Sequence, residues 1–238
     1  MNRPIAYAFF NGYEGEHMVM HLESPATAIK AFIAQQDYPC VGAKTALQKD
    51  QIAVHGFSAI DDDTHNMDIL HQLYKFIDAF NVSCDMYSSL VCTFEGPYHC
   101  SEREYEKLLW NKLQQLHDID NRLHHWDKNV SDDPEKDDFS FSVGGHGFFI
   151  IGLNPASTRK SRRFECPAIV FNLHAQFEQL REEGKFIQFR DHIRHQDSQF
   201  SGSPNPMLNN HGADSEAKQY SGRKLEDDWQ CPFHKHKD

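Results

Sequence analysis

The amino-acid sequence predicts an α+β domain in which a mainly antiparallel sheet is flanked by helices. Three observations carry that expectation. Apolar residues recur at helical spacing over 105–116, two aromatic and β-branched runs meet at Gly144-Gly145 within 139–153, and 39% hydrophobic residues in 238 suffice for one core. Strand patterns in the middle of the chain with helical patterns on both sides favour one sheet partly covered by helices. A single domain over 1–233 is expected, with 234–238 as a loose tail.

Ser24-Pro25 places a capping hydroxyl before a proline at a first helical position, and Ala28, Ile29, Phe32 and Ile33 follow at helical spacing. This first helix should stop before Tyr38-Pro39, because proline pushes the preceding residue out of the α region. Val41 to Lys44 opens a new element, read with 51–57 as a strand-like pair. Asp61 to Thr64 offer N-caps for a second helix with Met67, Leu70, Leu73, Tyr74 and Ile77 on its apolar face. Residues 87–94, rich in Tyr, Val, Thr and Phe, read as a strand.

Ser101-Glu102-Arg103-Glu104 is a capping-box pattern, and it starts a helix whose buried stripe is Tyr105, Leu108, Leu109, Leu113 and Leu116. The polar stretch 126–138 is expected to be an exposed connection. After the 139–153 strand pair, AIVFN is another short strand, and Asn172 is expected to cap a helix carrying Leu173, Phe177 and Leu180 that ends at Gly184. Phe186, Phe189 and Ile193 imply one more helix. Gly, Ser, Pro and Asn accumulate over 199–223, which predicts ordered loop.

Lys and Arg total 24 against 35 Asp and Glu, a formal net charge of −11, so the field repels a phosphate backbone and attracts small cations. Nucleic acid is not an expected partner. No run approaches the ~18 apolar residues of a spanning helix, and the short IAYAFF lacks a cleavage site, so a cytoplasmic protein with no membrane partner is expected. The six cysteines contain no C-x-x-C pair and are read as free thiols. Walker, G-x-S-x-G, H-E-x-x-H and dinucleotide fingerprints are missing, which removes the commonest hydrolases, kinases and dehydrogenases.

Sixteen histidines are many for this length. Most are expected to be solvated, HKHKD included, but two stand in more telling places. His117 flanks the stripe containing Leu113 and Trp110, where it is either a satisfied core histidine or a ligand. His174 falls in the first turn of its helix, where the macrodipole favours a neutral imidazole; Glu178 and Arg181 on the same face make a hydrogen-bonded surface histidine the alternative. Arg159, Arg162 and Arg163 cluster in a loop, suited to carboxylate or phosphate or simply solvated. Glu216 and Arg223 flank Gln219-Tyr220, lining a pocket or pairing with each other. Cys40 and Cys231 each adjoin a proline and an aromatic ring, and free cysteine more often packs than reacts.

Tyr38-Pro39-Cys40 is similar to an FPC motif and Cys231-Pro232-Phe233 is a CPF motif. With PCVGAKTAL, LLWNKLQQLHDID, VSDDP, FSFSVGGHGFFIIGLNP, RRFECPAIVFNLHAQFEQLR, GSPNPML, SEAKQYSGR and WQCPF, the chain resembles, almost end to end, the FPC/CPF-motif proteins of the YqcI/YcgG type. So long an ordered set is more specific than any one motif. The resemblance implies a branch of haem-dependent N-hydroxylases that act on a guanidino nitrogen of arginine or an arginine-derived amino acid.

In that reading haem b is the cofactor, activating dioxygen or peroxide, and a small cationic guanidino compound is the partner. His117 or His174 is expected as axial ligand, the phenylalanine-rich 139–149 stretch as a wall, and Arg159 and Arg163 as propionate partners. Cys40 and Cys231 are cofactor-site candidates, and Glu216 or Glu95 is expected to grip the guanidinium. Asn154 stands in GLNP where relatives carry histidine. The aromatic end, 229–233, is expected to belong to the fold, closing it near the Cys40 segment. Three rivals remain: a haem-binding sensor without turnover, a non-haem metalloenzyme using several histidines, and a thiol redox protein that brings Cys40 and Cys231 within bridging distance.

Overall fold

The computed structural model describes residues 24–205, 207 and 214–235; the IAYAFF segment lies outside them. Within them the chain is a mixed α+β domain built on one five-stranded sheet. The elements in order are α1 (Pro25–Ala34), α2 (Val41–Gln48), β1 (Ile52–Phe57), α3 (Asn66–Ala79), β2 (Ser89–Phe94), α4 (Glu102–Asp120), β3 (Phe141–Val143) and β4 (His146–Leu153). A 3₁₀ turn (Lys160–Arg162), β5 (Ala168–Leu173), α5 (His174–Glu182), α6 (Phe186–Ser201) and α7 (Ala217–Tyr220) follow. The strand order is β1-β2-β5-β4-β3, antiparallel throughout except for the parallel pair β1–β2, whose crossover carries α3.

The predicted caps explain the best-read helices. Ser24 Oγ accepts from Thr27 N–H at 3.2 Å, with Pro25 at the start of α1. Ser101 Oγ accepts from Glu104 N–H while Glu104 Oε2 accepts from Ser101 N–H at 2.7 Å, so the capping box of α4 is complete. Gly144 and Gly145 take φ of +61° and +75°, the left-handed region a two-residue hairpin needs.

Four local expectations are corrected. Val41 to Gln48 forms a helix rather than a strand-like partner: Cys40 Sγ caps it by accepting from Ala43 N–H, and Ala43, Ala46, Leu47 and Gln48 are strong helix formers. Asn172 does not cap α5. It is a strand residue whose Oδ1 accepts from Ser89 Oγ at 2.7 Å and whose Nδ2 donates to the Phe149 carbonyl, tying β2, β5 and β4 together. Met67, expected on the buried face of α3, is 58% exposed, because α3 buries Ile69, Leu70 and Leu73 instead. Part of 199–223, expected to be loop, is helical: α6 runs on to Ser201 and α7 occupies Ala217–Tyr220.

The sheet separates two apolar clusters. On one face Leu90, Cys92, Phe94, Phe148, Ile150, Ile169 and Phe171 pack under α3 and α4, and Tyr220, Cys231 and Phe233 close this cluster. On the other, Val91, Leu153 and Ala168 pack under Ile29, Phe32 and Ile33 of α1 and Ala46 of α2. The 229–233 segment therefore belongs to the fold, but it docks on α4 and not near Cys40, which lies across the sheet. Phe233 is 1% exposed, with ring centroids 5.2 Å from His117 and 5.9 Å from Phe141. Beyond it the chain is still tied where a loose tail was expected. His234 N–H donates to Gln114 Oε1 and Lys235 pairs with Asp132, while 236–238 lie outside the described residues.

Phe233→Ala should lower the unfolding free energy by ~3–5 kcal/mol, as for a buried large-to-small change. Urea unfolding measures it, and an unchanged midpoint would contradict the docking.

Candidate functional site

Beside α1 and α2 the second face of the sheet is not filled. Odd-numbered positions of β4 point there while even-numbered ones point into the larger core, so Phe149, Ile151 and Leu153 form a floor, continued by Val170 and Asn172 of β5 and Ser89 of β2. α5 and α6 roof it with Phe177, Phe186, Phe189 and Ile193. The cavity, partly open to solvent, measures about 280 Å³, close to the lower end of the ~300–1,000 Å³ typical of small-molecule sites.

Cys40 enters this cavity from the N-terminus of α2. Its Sγ accepts from Ala43 N–H at 3.4 Å. Burial pushes the thiol above its ordinary value, opposed by the Ala43 and Gly42 N–H groups and by the Arg162 guanidinium. Gly42 lets the rings come close here: a Cβ would come 3.0 Å from Phe189 and 3.3 Å from Tyr87, whose stacked rings form the adjacent wall and would have to shift.

Arg162 is held by backbone carbonyls, its Nη1 donating to Gly152 at 3.1 Å and Tyr220 at 3.5 Å and its Nη2 to Gln219 at 3.4 Å. These bonds cover the edge of β4 that short β3 leaves open. Burial pulls the guanidinium below its ordinary value, with Tyr38 and Asp197 acting in the opposite direction. Asp197 of α6 pairs with Arg159 and accepts from Ser161 Oγ at 2.6 Å, which fastens α6 to the 3₁₀ turn across the cavity.

Opposite stands Glu216, 8% exposed and in the cavity lining. Its Oε2 accepts from Ser140 Oγ at 2.8 Å and its Oε1 lies 3.9 Å from His174 Nε2. Burial raises its carboxyl to about 7, Ser140 and Arg181 working against the rise and Glu178 with it. His174 Nδ1 in turn is 3.5 Å from Glu178 Oε1, and Glu178 pairs with Arg181.

Of the expected site residues, the structure brings Cys40 and Glu216 to the cavity. His174 sits behind Glu216 rather than in the lining. His117 is on the opposite face of the sheet, 2% exposed and edge-on to Trp126 and Phe233. Cys231 is also there, its thiol pushed up to about 12 by burial. Cys40 and Cys231 are therefore divided by the sheet and do not form the bridging pair of a redox site. Arg159 is turned to Asp197, Ser203 and Pro204, and Arg163 donates to the Ser157 and Thr158 carbonyls. Glu95 is exposed at the end of β2. In the 139–149 stretch, Phe139, Phe141 and Phe148 belong to the larger core and Phe149 alone reaches the cavity. Asn154 is buried where the chain leaves β4, bridged to Arg163.

Sequence reasoning passed over Asp197, Gln176 and the capping role of Cys40, and saw Arg162 only as part of a basic cluster. For Cys40 a signal existed: a cysteine after proline and before Val-Gly-Ala-Lys has the form of a helix start. Asp197 looked like any polar residue of an amphipathic helix. Among the described residues no group of three or more His, Cys, Asp or Glu side chains is arranged to hold a metal ion, and no helix is long and apolar enough to cross a membrane.

The Glu216 carboxyl titrates in the folded protein at about 7, above its ordinary 4.5, so the stability it contributes is fully present below pH ~4.5 and lost as pH rises through ~7. Glu216→Gln should thus be stabilising at pH 8 relative to acid conditions by about 3 kcal/mol, at ~1.4 kcal/mol per pKa unit. Urea unfolding of both proteins at the two ends of that range measures the difference; a difference independent of pH would refute the buried carboxyl.

A search of curated proteins and of solved structures finds no match to this chain. The YqcI/YcgG family model matches residues 29–234, which span both motif segments and every element from within α1 to the C-terminal strap. The chain belongs to the YqcI/YcgG family.

Proposed function

We propose that the cavity is a haem-dependent oxygenase site that hydroxylates a guanidino nitrogen of arginine or an arginine-derived amino acid. The observation that carries this reading is Cys40, a thiol at the N-terminus of α2 facing a predominantly apolar cavity. Of the residues in this lining, Cys40 is the donor of a kind that holds haem. Cys40, at a helix N-terminus with backbone N–H groups and the Arg162 guanidinium acting against the rise that burial causes, would hold the iron of such a group as a thiolate. In this reading Cys40, which lines the cavity, would hold the group in place of His117 and His174, which do not line it. When bound, haem supplies the activation of dioxygen or peroxide that the side chains lack.

The chain's own residues do the rest. Phe149, Ile151, Val170, Phe177, Phe189 and Ile193 exclude water, which strengthens every polar contact inside. Arg162, which lines the cavity with Cys40, would be the cation nearest a carboxylate or propionate bound on that side. The lining contains three carboxyl groups. Asp197 pairs with Arg159 and Asp214 with Lys218, while Glu216, held by the Ser140 hydroxyl, would as a carboxylate be the group to meet a guanidinium.

Protein produced with haem supply should show a Soret band that Cys40→Ala loses and that His117→Ala and His174→Ala retain. Incubation with arginine and peroxide, or with dioxygen and a reductant, should then give a product heavier by one oxygen in mass spectra. Pale protein after loading, or a Soret band indifferent to Cys40→Ala, would overturn the reading.

A further inference from the structure

We propose that Glu216, His174 and Glu178 form a proton-exchange chain between the cavity and solvent, with Glu216 as the acid–base group of the site. The inference deepens the reading above and rests on it for the ligand's identity, but the chain itself is argued from side chains in place.

Three features single out this row. Its inner end, Glu216, lines the cavity and is almost wholly buried, while its outer end, Glu178, has a side chain 49% exposed. Between them the His174 side chain is 13% exposed and presents one ring nitrogen to each carboxyl: Nδ1 to Glu178 at 3.5 Å and Nε2 to Glu216 at 3.9 Å. Both gaps are within about 1 Å of hydrogen-bond length, closed by a small side-chain rotation or one water. Position is fixed from behind, since His174 is the first residue of α5 and Gly147 packs against it, a Cβ there lying 3.4 Å from His174 Cβ.

The neighbouring charges set the direction of each bond. Arg181 pairs with Glu178, whose Oε1 is the carboxylate oxygen beside His174 Nδ1, so a ring carrying its proton on Nδ1 would turn the Nε2 lone pair toward Glu216. Glu216 is faced by the Ser140 hydroxyl from the segment leading into β3, and from α5 by His174, Glu178 and Arg181. On its own side Lys218 turns away to Asp214, and the Tyr220 hydroxyl is engaged by Phe141 and Phe148. Burial, raising the carboxyl to about 7, leaves Glu216 poised between its two forms at neutral pH.

When a guanidinium arrives, the Glu216 O–H bond breaks, its electron pair remains on the carboxylate, and the proton passes to His174 Nε2. As that N–H forms, the Nδ1 proton leaves by way of Glu178 to water, and the imidazole is neutral again. The reverse sequence returns a proton to Glu216, from which an oxygen or nitrogen of a cavity ligand can take it. No oxidant or reductant is involved.

The test is a rapid pH jump with infrared detection of the protonated carboxyl band, on the full chain without added ligand. The wild-type band should titrate near pH 7 and vanish in Glu216→Gln. Its relaxation should slow at least ~10-fold in His174→Leu, with free imidazole restoring the rate in His174→Gly, as expected of general acid–base transfer. Glu178→Gln, on the exposed side of α5 and harmless to the core, should slow it severalfold. Absence of a titrating band, or unchanged relaxation in the His174 and Glu178 variants, would overturn the chain. Calorimetry with free arginine near pH 6, in two buffers of different ionisation enthalpy, should show about one proton released per arginine bound, and none in Glu216→Gln. Failure of arginine to bind while the relaxation effects persist would remove the guanidino reading and leave the proton chain standing.

Discussion

The arrangement depends on the Tyr220 hydroxyl. It accepts from the Phe141 amide and donates to the Phe148 carbonyl, pinning α7 to the β3–β4 hairpin from a fully buried position, while its ring stacks on Trp110 of α4. A buried phenol satisfied on both sides is rigid, because either broken bond would leave a polar group stranded. From this pin Glu216 is set four residues earlier in the cavity wall, and the Gln219 and Tyr220 carbonyls are set where Arg162 reaches them. Gly152 completes the fit. A Cβ there would come 2.8 Å from the Tyr105 hydroxyl and 2.9 Å from the Tyr220 carbonyl, so only glycine lets α4 and α7 close on β4 together.

Charge is used differently on the two sides of this pin. Arg223 and Glu106 form a buried, hydrogen-bonded pair joining the last segment to α4, and Arg159 and Asp197 form another joining the 3₁₀ turn to α6. Buried pairs add little net stability over apolar contacts of the same shape, since desolvation offsets most of the attraction. Their value here is positional. The first fixes the strap that brings in Phe233, and the second holds the roof of the cavity at a set distance from its floor.

Periodicity made the helices and the hairpin legible because their signals are local. The α4 stripe, the Ser101 capping box and the Gly144-Gly145 turn each occupy a few consecutive residues and resolved as expected. What misled was context. Asn172 has the chemistry of a cap, yet its partners are Ser89 on a neighbouring strand and the Phe149 carbonyl, and no spacing rule can see a contact 83 residues away. The site was half legible for the same reason. Cys40 was named from its motif and Glu216 as one of two carboxylates for a guanidinium, whereas Arg159 and Arg163 were expected at the site and the path of the chain brings Arg162 into the lining instead.

The sheet divides the two motifs for which such chains are recognised, and this separates two ways of failing. The Tyr38-Pro39-Cys40 segment borders the cavity, whereas Cys231-Pro232-Phe233 is enclosed with α4 on the far side. Damage at the second should deplete the cell of folded material and leave each surviving copy competent. Damage at the first strikes the cavity wall as well as the start of α2 that Cys40 caps, so on the reading proposed above an assay of expression level alone would miss part of its effect.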